Sequence, residues 1–333
     1  MIAPGRLPVD RRGFALLVVI IVLLLVSLLA SQLIMAVRTE LRTAANGREF
    51  AGGRLLAEGG VNIALFRLLD NPEEDKEPPP EFGGPGFLLG QKYETVLPAG
   101  KIEYYAVDES GKINLNAGAV GLLSMFLEYH GLKPEEIAVV QDSLQDWRDS
   151  DNLTRLNGAE QEYYQNLVPP YSPRNGAIED PGEFFLLKGT ETLRGRFDPY
   201  EVFTVYNPAN TGNRLNFDSL PMPIVEFLLQ GDPDKIEQYK QIKADNVKIT
   251  ALQGQALLGE GRFALLRNYI GFGIIPGPLY SIVARGWAGG SSAATAADGD
   301  PVANKPGAMV RVLVKLNSGK DGFNYLSWRE GKL

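Results

Sequence analysis

The sequence predicts an α+β fold in which a long N-terminal helix packs on an antiparallel sheet and a large, mainly helical domain is inserted after the first strand. Three observations support this fold class. An apolar run follows a short basic leader, strand-like alternation occurs on both sides of the middle of the chain, and the middle itself has helical patterning. We therefore expect residues 93–110 and 277–333 to form one sheet, from which residues 111–276 project as the inserted domain.

The first predicted element is a helix long enough to cross a membrane. After the leader, residues 1–13, the segment 14–37 runs for about 24 positions without a charged side chain. A helix of that length is roughly 36 Å long, against about 30 Å for the hydrocarbon core of a bilayer. Helix-forming composition continues through residues 38–70. We therefore expect one helix with a transmembrane part, 14–37, and a continuation outside the membrane.

The junction between the leader and the apolar run resembles the leader of type IV prepilins. Gly13 ends the basic leader, and Phe14 begins the apolar run without a gap. The resemblance implies that a prepilin peptidase cuts after Gly13 on the cytoplasmic side and that the new N-terminal Phe14 is methylated. Pilins of this class typically carry a glutamate five residues into the mature chain, where this sequence has Val18. A carboxylate in lipid is costly and is kept only where it has a partner, so its absence predicts a subunit at the end of a filament.

The other elements are predicted from composition and from the alternation of apolar and polar residues. Residues 71–92 are predicted to form a loop, because prolines, glycines and an acidic run exclude regular structure from most of this segment. Residues 93–107 alternate like a strand. Three further strands are predicted near the C-terminus, the last two joined by a hairpin turn: 279–287, 309–316 and 323–328.

Composition narrows the possible chemistry. The 333 residues carry a formal charge of −7, and removal of the basic leader makes the body more acidic, so nucleic acid is not an expected partner. The sequence has no cysteine, which excludes disulfides, thiol nucleophiles and cysteine-based zinc sites. Its single histidine, His130, excludes multi-histidine metal sites. The sequence also lacks a nucleophile elbow and a dinucleotide-binding loop, and we expect no enzymatic activity.

One polar segment is a candidate metal site. With Asp149 as position 1 of a loop, Asp151, Asn157 and Glu160 occupy positions 3, 9 and 12, which matches part of the spacing of EF-hand ligands. Thr154 stands where an EF-hand requires glycine, so the segment is not an EF-hand. Several carboxylates in one loop still suit calcium, because the ion accepts about six to eight oxygens and removes the repulsion between them. The alternative is a helix end followed by an exposed, capped turn.

Several short motifs, taken in order along the chain, resemble those of the general secretion pathway protein K family of type II secretion systems. They occupy residues 12–18, 108–116, 146–149, 157–164, 183–189 and 328–330. The resemblance implies a pilin-like sheet, an inserted helical domain, and calcium near the acidic loop. It implies a tip complex with the minor pseudopilins I and J, which starts or caps a pseudopilus for protein secretion. It also implies a single-pass inner-membrane protein with a cytoplasmic N-terminus before processing and a soluble domain in the periplasm.

Two other functions remain open from the sequence. One is a minor pilin of a type IV pilus or of a DNA-uptake machine. A segment resembling a helix-hairpin-helix supports DNA uptake. However, Glu135 and Glu136 lie at the start of the helix that would bind phosphate, and their negative charges would repel it. The other is a signal-anchored extracytoplasmic enzyme, whose N-terminus would stay uncut. Processing after Gly13 therefore separates the enzyme from both pilin-like functions.

Overall fold

The computed structural model describes residues 12–69, 87–117, 120–206, 214–244, 248–289, 307–317 and 322–332. In the first helix it describes the backbone from Arg12 and the side chains from Leu16. Most of the predicted leader and most of the predicted loop at 71–92 therefore lie outside the described residues. The long N-terminal helix, the antiparallel sheet and the helical content expected from the sequence are confirmed.

Helix α1 (Arg12–Leu69) is a single helix of 58 residues, which at 1.5 Å per residue is about 87 Å long. Its described side chains from Leu16 to Arg48 are exposed, and only the last part of the helix packs on the sheet. Small residues make this contact close. A Cβ atom on Gly53 would lie 2.7 Å from the main-chain oxygen of Gly286, and one on Gly60 would lie 2.7 Å from Ile102. The glycines that weaken helix propensity here allow α1 to approach the strands closely.

The first strand differs from the prediction. Residues 93–107 lie in a hairpin of two strands, β1 (Tyr93–Leu97) and β2 (Gly100–Asp108), rather than in one strand. Pro98 in the turn has no amide hydrogen for a sheet. Gly100 has a φ of 149°, and a Cβ atom there would lie 2.0 Å from the main-chain oxygen of Trp287. The helical region is therefore inserted after the second strand of the sheet, not after the first.

The inserted region consists of short helices around an apolar core of its own. Its helices are α2 (Val120–Tyr129), α3 (Pro134–Arg148), α4 (Gln161–Gln165), α5 (Pro199–Val202), α6 (Met222–Leu228), α7 (Pro233–Ala244), α8 (Ala251–Leu258) and α9 (Glu260–Leu266). Two parallel strand pairs join them: β3 (Ile113–Asn114) with β4 (Phe203–Thr204), and β5 (Leu215–Asn216) with β6 (Ile270–Gly271). Fully buried Phe126, Phe184 and Phe227 lie in this core.

Three strands after the inserted region complete the sheet: β7 (Leu279–Ala288), β8 (Ala308–Leu316) and β9 (Phe323–Lys332). The strand order is β1-β2-β7-β8-β9, and all neighbours are antiparallel. Helix α1 packs across β2, β7 and β8. The core beneath it is made of apolar side chains such as Ala57, Val61, Ile282 and Val312, and it is separate from the core of the inserted region.

Charged contacts tie the inserted region to the sheet face opposite α1. Arg311 of β8 pairs with Asp198, and Arg329 of β9 pairs with Asp180. Both guanidinium groups lie over the ring of Tyr200, at 4.7 and 5.0 Å from its centroid. The two regions thus meet through polar side chains instead of through a shared apolar core.

Candidate calcium site and membrane anchor

The predicted metal ligands lie in the loop between α3 and α4. Asp149 is the C-cap residue of α3, and Glu160 is the N-cap residue of α4. The loop folds back so that one carboxylate oxygen from each of Asp149, Asp151 and Glu160 lies within 4.8 Å of the others. The structure therefore brings together three of the four residues that the sequence suggested as ligands.

The carboxylates of this loop are short of hydrogen-bond donors. Among the described residues, no donor reaches either side-chain oxygen of Glu160 or Oδ1 of Asp149, and all three atoms are buried. Asp146, in the last turn of α3, is also fully buried. Burial raises the pKa of Glu160 above its usual value, and the negative charges of the neighbouring aspartates raise this pKa further.

One cation balances part of this negative charge. Nη1 of Arg155 donates to Oδ1 of Asp146 at 2.6 Å and also pairs with Asp149. These hydrogen bonds, that to Asp146 first, raise the pKa of the guanidinium group. Among the described residues, Arg155 pairs with Asp146 and Asp149, whereas Asp151 and Glu160 form no ion pair, and the three aspartates repel the charged form of Glu160. A divalent cation would relieve this repulsion.

The donor set of the loop fits calcium. Calcium binds oxygen ligands, and carboxylates can each supply one or two oxygens to it. The buried oxygens of Glu160 and Asp149 that lack donors have the chemistry that such an ion requires. Asp149, Asp151 and Glu160 would hold the ion, and main-chain carbonyl groups of the loop could add neutral ligands.

Asn157, the fourth predicted ligand, makes a different contact. Its main-chain N–H and its Nδ2 both donate to Oδ2 of Asp142 at 3.0 Å, which holds the loop against α3. Its role as a ligand stays a prediction. Sequence reasoning missed Asp142 and Asp146, whose spacing of four residues on α3 was the available signal. Gly158 closes the loop, because a Cβ atom there would lie 1.9 Å from Oδ2 of Asp146.

A second buried glutamate, Glu183, shows how hydrogen-bond donors to the carboxylate change its pKa. Glu183 accepts hydrogen bonds from Nε1 of Trp147 at 3.0 Å and from two nitrogens of Arg174 at 2.7 Å each. Burial alone would raise the pKa of Glu183, but these hydrogen bonds outweigh burial and lower it. Glu160 has no such donors, so the pKa values of the two glutamates shift in opposite directions. Glu183 is therefore a structural residue, whereas Glu160 is available to a cation.

The second functional feature is the exposed part of α1. Its most apolar stretch has a mean hydropathy of 3.0, and none of that stretch is buried. By length and composition α1 can cross a membrane, and it is the one helix among the described residues that can. Gly13 and Phe14 lie in its first turn, and Val18 is 42% exposed. A single-pass membrane anchor accounts for this apolar surface.

An exposed apolar helix on an antiparallel sheet, interrupted by a helical region, defines a membrane-anchored protein of pilin-like architecture. The family described as "Type II secretion system (T2SS), protein K" matches residues 105–200. Type II secretion system protein K of Pseudomonas aeruginosa is 26% identical over 240 residues, which cover 68% of this chain and 71% of that protein. The protein of the same name from Klebsiella pneumoniae is 28% identical over 57% of this chain and 62% of that protein. The chain is thus similar to type II secretion system protein K, through the family match at residues 105–200 and through relatives that are 26% and 28% identical.

The family match covers the acidic loop. Residues 105–200 include Asp142, Asp146 and the loop from Asp149 to Glu160, but neither α1 nor β7 to β9. Among solved structures, a chain in the GspK-GspI-GspJ complex from the type 2 secretion system of enterotoxigenic Escherichia coli has a TM-score of 0.49 and 16% identity to this chain. The superposition covers 88% of this chain and 98% of that chain.

Proposed function

We propose that this protein is the minor pseudopilin at the tip of a type II secretion pseudopilus, where it starts or caps the assembly that exports proteins across the outer membrane. Similarity to type II secretion system protein K supports a role in the secretion system. The tip position is supported by the location of the point where the inserted region leaves the sheet. This place lies at the end of the sheet that is farthest from the membrane-spanning part of α1.

The direction of the strands supports this placement. Gly52 of α1 lies against Ala288 at the end of β7, and Gly60, two turns further along α1, lies against Ile102 of β2. Strand β2 therefore runs away from the membrane-spanning part of α1, and β7 returns toward it. The inserted region begins after β2 and ends before β7. It adds bulk above the sheet, where a further subunit of the filament would otherwise stack.

Val18 also fits a position at the end of the filament. Residues 14–37 would hold the protein in lipid until apolar faces of partner helices replace lipid around them. A subunit within the repeating shaft would need a carboxylate near position 18 to pair with the amino terminus of its neighbour. Val18 offers no such group, and we expect the protein to enter the pseudopilus without one.

Mass spectrometry of the mature amino terminus tests this function. In cells that carry the secretion system, we expect a chain that begins with N-methylated Phe14, and a Gly13→Leu control should keep its leader. An intact amino terminus would contradict the proposal and favour a signal-anchored enzyme. Many copies spaced regularly along the pseudopilus would contradict the tip position alone.

We also infer that the loop between α3 and α4 binds calcium through Asp149, Asp151 and Glu160, with Asn157 as a further candidate ligand. The buried carboxylate oxygens without donors support this inference. Bound calcium would supply the positive charge that lets the loop close against α3. Because the loop joins two helices of the inserted region, the ion would stabilise structure and take part in no reaction.

The proposed partners are the minor pseudopilins I and J and other pseudopilins, with prepilin peptidase acting at Gly13. The anchor would lie in the inner membrane and the region from about residue 38 in the periplasm. The proposed role is structural instead of catalytic. His130, the single histidine, packs against Phe126 and Phe197, and burial lowers its pKa, which keeps the ring neutral.

A further inference from the structure

Helix α1 leaves one edge of the sheet uncovered. It packs across β2, β7 and β8 and is centred on β7, whereas β9 lies beyond its edge. On β9, Trp328 is opposite Val312 and Tyr325 is opposite Val314, so these side chains face the same side as α1. Both valines are fully buried, but within the described part of the chain Trp328 is 41% exposed and Tyr325 is 42% exposed.

Three aromatic residues form a continuous apolar surface on β9, the β9 aromatic strip: Phe323, Tyr325 and Trp328. The ring centroids lie 5.1 Å apart between Phe323 and Tyr325 and 5.4 Å apart between Tyr325 and Trp328, with the rings edge to face. Aromatic side chains grouped on a surface are typical of protein interfaces. The strip therefore indicates a contact with another polypeptide.

Charged residues border the strip at the end nearest the membrane-spanning part of α1. Glu330 accepts a hydrogen bond from Nε1 of Trp328 at 3.0 Å and pairs with Arg54 of α1 at 3.0 Å. The ammonium group of Lys332 lies 5.3 Å from the ring centroid of Phe50, also on α1. These contacts hold β9 beside α1. The helix is thus one wall of a groove, and the aromatic strip is its floor.

The groove has the width of one helix. Neighbouring strands lie about 4.8 Å apart, so β9 is roughly 10 Å from β7, on which α1 is centred. The axes of two packed helices are about 8–10 Å apart. A second helix beside α1 would therefore lie over β9 and cover the strip. A strand added to the free edge of β9 would leave these side chains exposed, because edge pairing uses main-chain groups.

We propose that the β9 aromatic strip docks the N-terminal helix of a second pseudopilin, lying side by side with α1. This inference rests on the proposed function of the protein. A helix that follows the groove toward the membrane continues alongside the apolar part of α1, where every described side chain from Leu16 to Val37 is exposed. A partner with its own apolar anchor matches both surfaces. A soluble partner would cover the strip alone.

Site-specific photocrosslinking of the full chain, in cells with the intact secretion system, tests the groove. A photoreactive phenylalanine would replace Tyr325 in one variant and Asn324 in the matched control, because Asn324 is exposed on the opposite face of the same strand. Mass spectrometry would identify the crosslinked peptides. We expect Tyr325 to capture a peptide from the N-terminal helix of another leader-bearing subunit, about tenfold more than Asn324 does.

A third variant, with the photoreactive residue at Leu41 of α1, separates this inference from the proposed function. Leu41 is 65% exposed and should contact partner helices in any pseudopilus. Crosslinks to partners at Leu41 but not at Tyr325 would refute docking in the groove and leave the pseudopilin function unaffected. Capture of a partner strand, or of a second copy of this chain, at Tyr325 would have the same meaning. Absence of partners at both positions would overturn both. Trp328→Ala should lower capture at Tyr325 about tenfold without changing capture at Leu41, and an unchanged yield at Tyr325 would also count against the groove.

Discussion

The two regions of the molecule bury different kinds of side chain. Between α1 and the sheet, the core consists of apolar and small residues, with close backbone contact at Gly53. The inserted region also has an apolar core, but its α3–α4 loop closes over the carboxylates of Asp146 and Glu160. Apolar packing needs no ion, whereas buried carboxylates need compensation. The stability of the region that carries the anchor should therefore not depend on calcium, whereas that of the inserted region should depend on calcium and on pH.

Removal of calcium should have the largest effect and should fall on the inserted region alone. With calcium at about 100 times its dissociation constant, a site present only in the folded state adds about 2.7 kcal/mol to the free energy of unfolding. Hydrogen exchange followed by mass spectrometry, on the full chain in detergent, measures the two regions separately. After chelation we expect faster exchange in α3 and α4 and unchanged exchange in β7 and β8.

Magnesium is the control for this experiment, because it demands octahedral geometry and loses its water reluctantly. It should restore less protection than calcium at the same concentration. Unchanged exchange throughout the chain would contradict the calcium site. An equal loss of protection in the sheet would contradict the independence of the two regions.

Close packing of α1 on the sheet predicts the next largest effect. Gly53→Ala would place a Cβ atom 2.7 Å from the main-chain oxygen of Gly286, which cannot move aside as the end of a side chain can. We expect a loss of about 2 kcal/mol in the free energy of unfolding. Gly47→Ala is the matched control, since Gly47 lies in the same helix and, apart from the nearby backbone of that helix, no atom of the described residues lies within 4 Å of its Cβ position.

Thermal unfolding of the two glycine variants measures this difference. Alanine has a higher helix propensity than glycine, so Gly47→Ala should be neutral or stabilise the protein by up to about 1 kcal/mol. Equal melting temperatures for the two variants would show that α1 does not approach β7 this closely.

Glu160→Gln should have a smaller effect, whose sign depends on calcium. With calcium present, the substitution removes a charged ligand and should destabilise the protein. With calcium removed, it eliminates a buried charge that Asp146 and Asp149 repel, and it should stabilise the protein by about 1 kcal/mol. Glu162→Gln is the control, because Glu162 is exposed in the first turn of α4. It should neither destabilise the protein with calcium present nor stabilise it with calcium removed. Destabilisation by Glu160→Gln under both conditions would show that Glu160 acts through packing alone.

The pKa of Glu160 also sets the pH dependence of the metal-free protein. Because this pKa is raised, the folded state binds more protons than the unfolded state between the two pKa values. The stability contributed by protonated Glu160 is present below the usual glutamate pKa and is lost as the pH rises through the folded-state value. Metal-free protein should therefore gain stability as the pH falls from neutral toward that range. At still lower pH, protonation of Glu183, whose pKa is lowered, removes its stabilising bonds.

Elements that are determined by local sequence pattern could be predicted from the sequence. Elements that depend on tertiary contacts could not. Alternation predicted β7 to β9, and composition predicted α1. The β1–β2 hairpin was missed because its turn depends on Pro98 and on the close approach of Gly100 to β7, a tertiary contact. Spacing identified three carboxylates that the structure brings together, and calcium binding stays a prediction. Asp142 and Asp146 join the site only because the loop folds back over α3.

The pair of Arg329 and Asp180, which joins the two regions, should show the smallest effect. The two side chains are 47% and 24% exposed, so solvent screening limits their coupling to about 0.5 kcal/mol. A double-mutant cycle with Arg329→Gln and Asp180→Asn measures this coupling. Asparagine keeps the Oδ1 atom that accepts hydrogen bonds from Gly182 and Tyr200, so the capped turn should survive.

The size of this coupling decides whether the two regions can respond separately to calcium. Arg311, whose side chain is 9% exposed, pairs with Asp198 and should couple more strongly than Arg329 does, because it is less screened. A second double-mutant cycle measures the coupling of Arg311 and Asp198. If both cycles give a coupling of about 1 kcal/mol or less, the contacts between the regions are weak. The loss of calcium can then loosen α3 and α4 while the sheet stays folded. Coupling of several kcal/mol would make the regions one cooperative unit. Chelation would then destabilise the sheet as well, although the sheet has none of the proposed ligands.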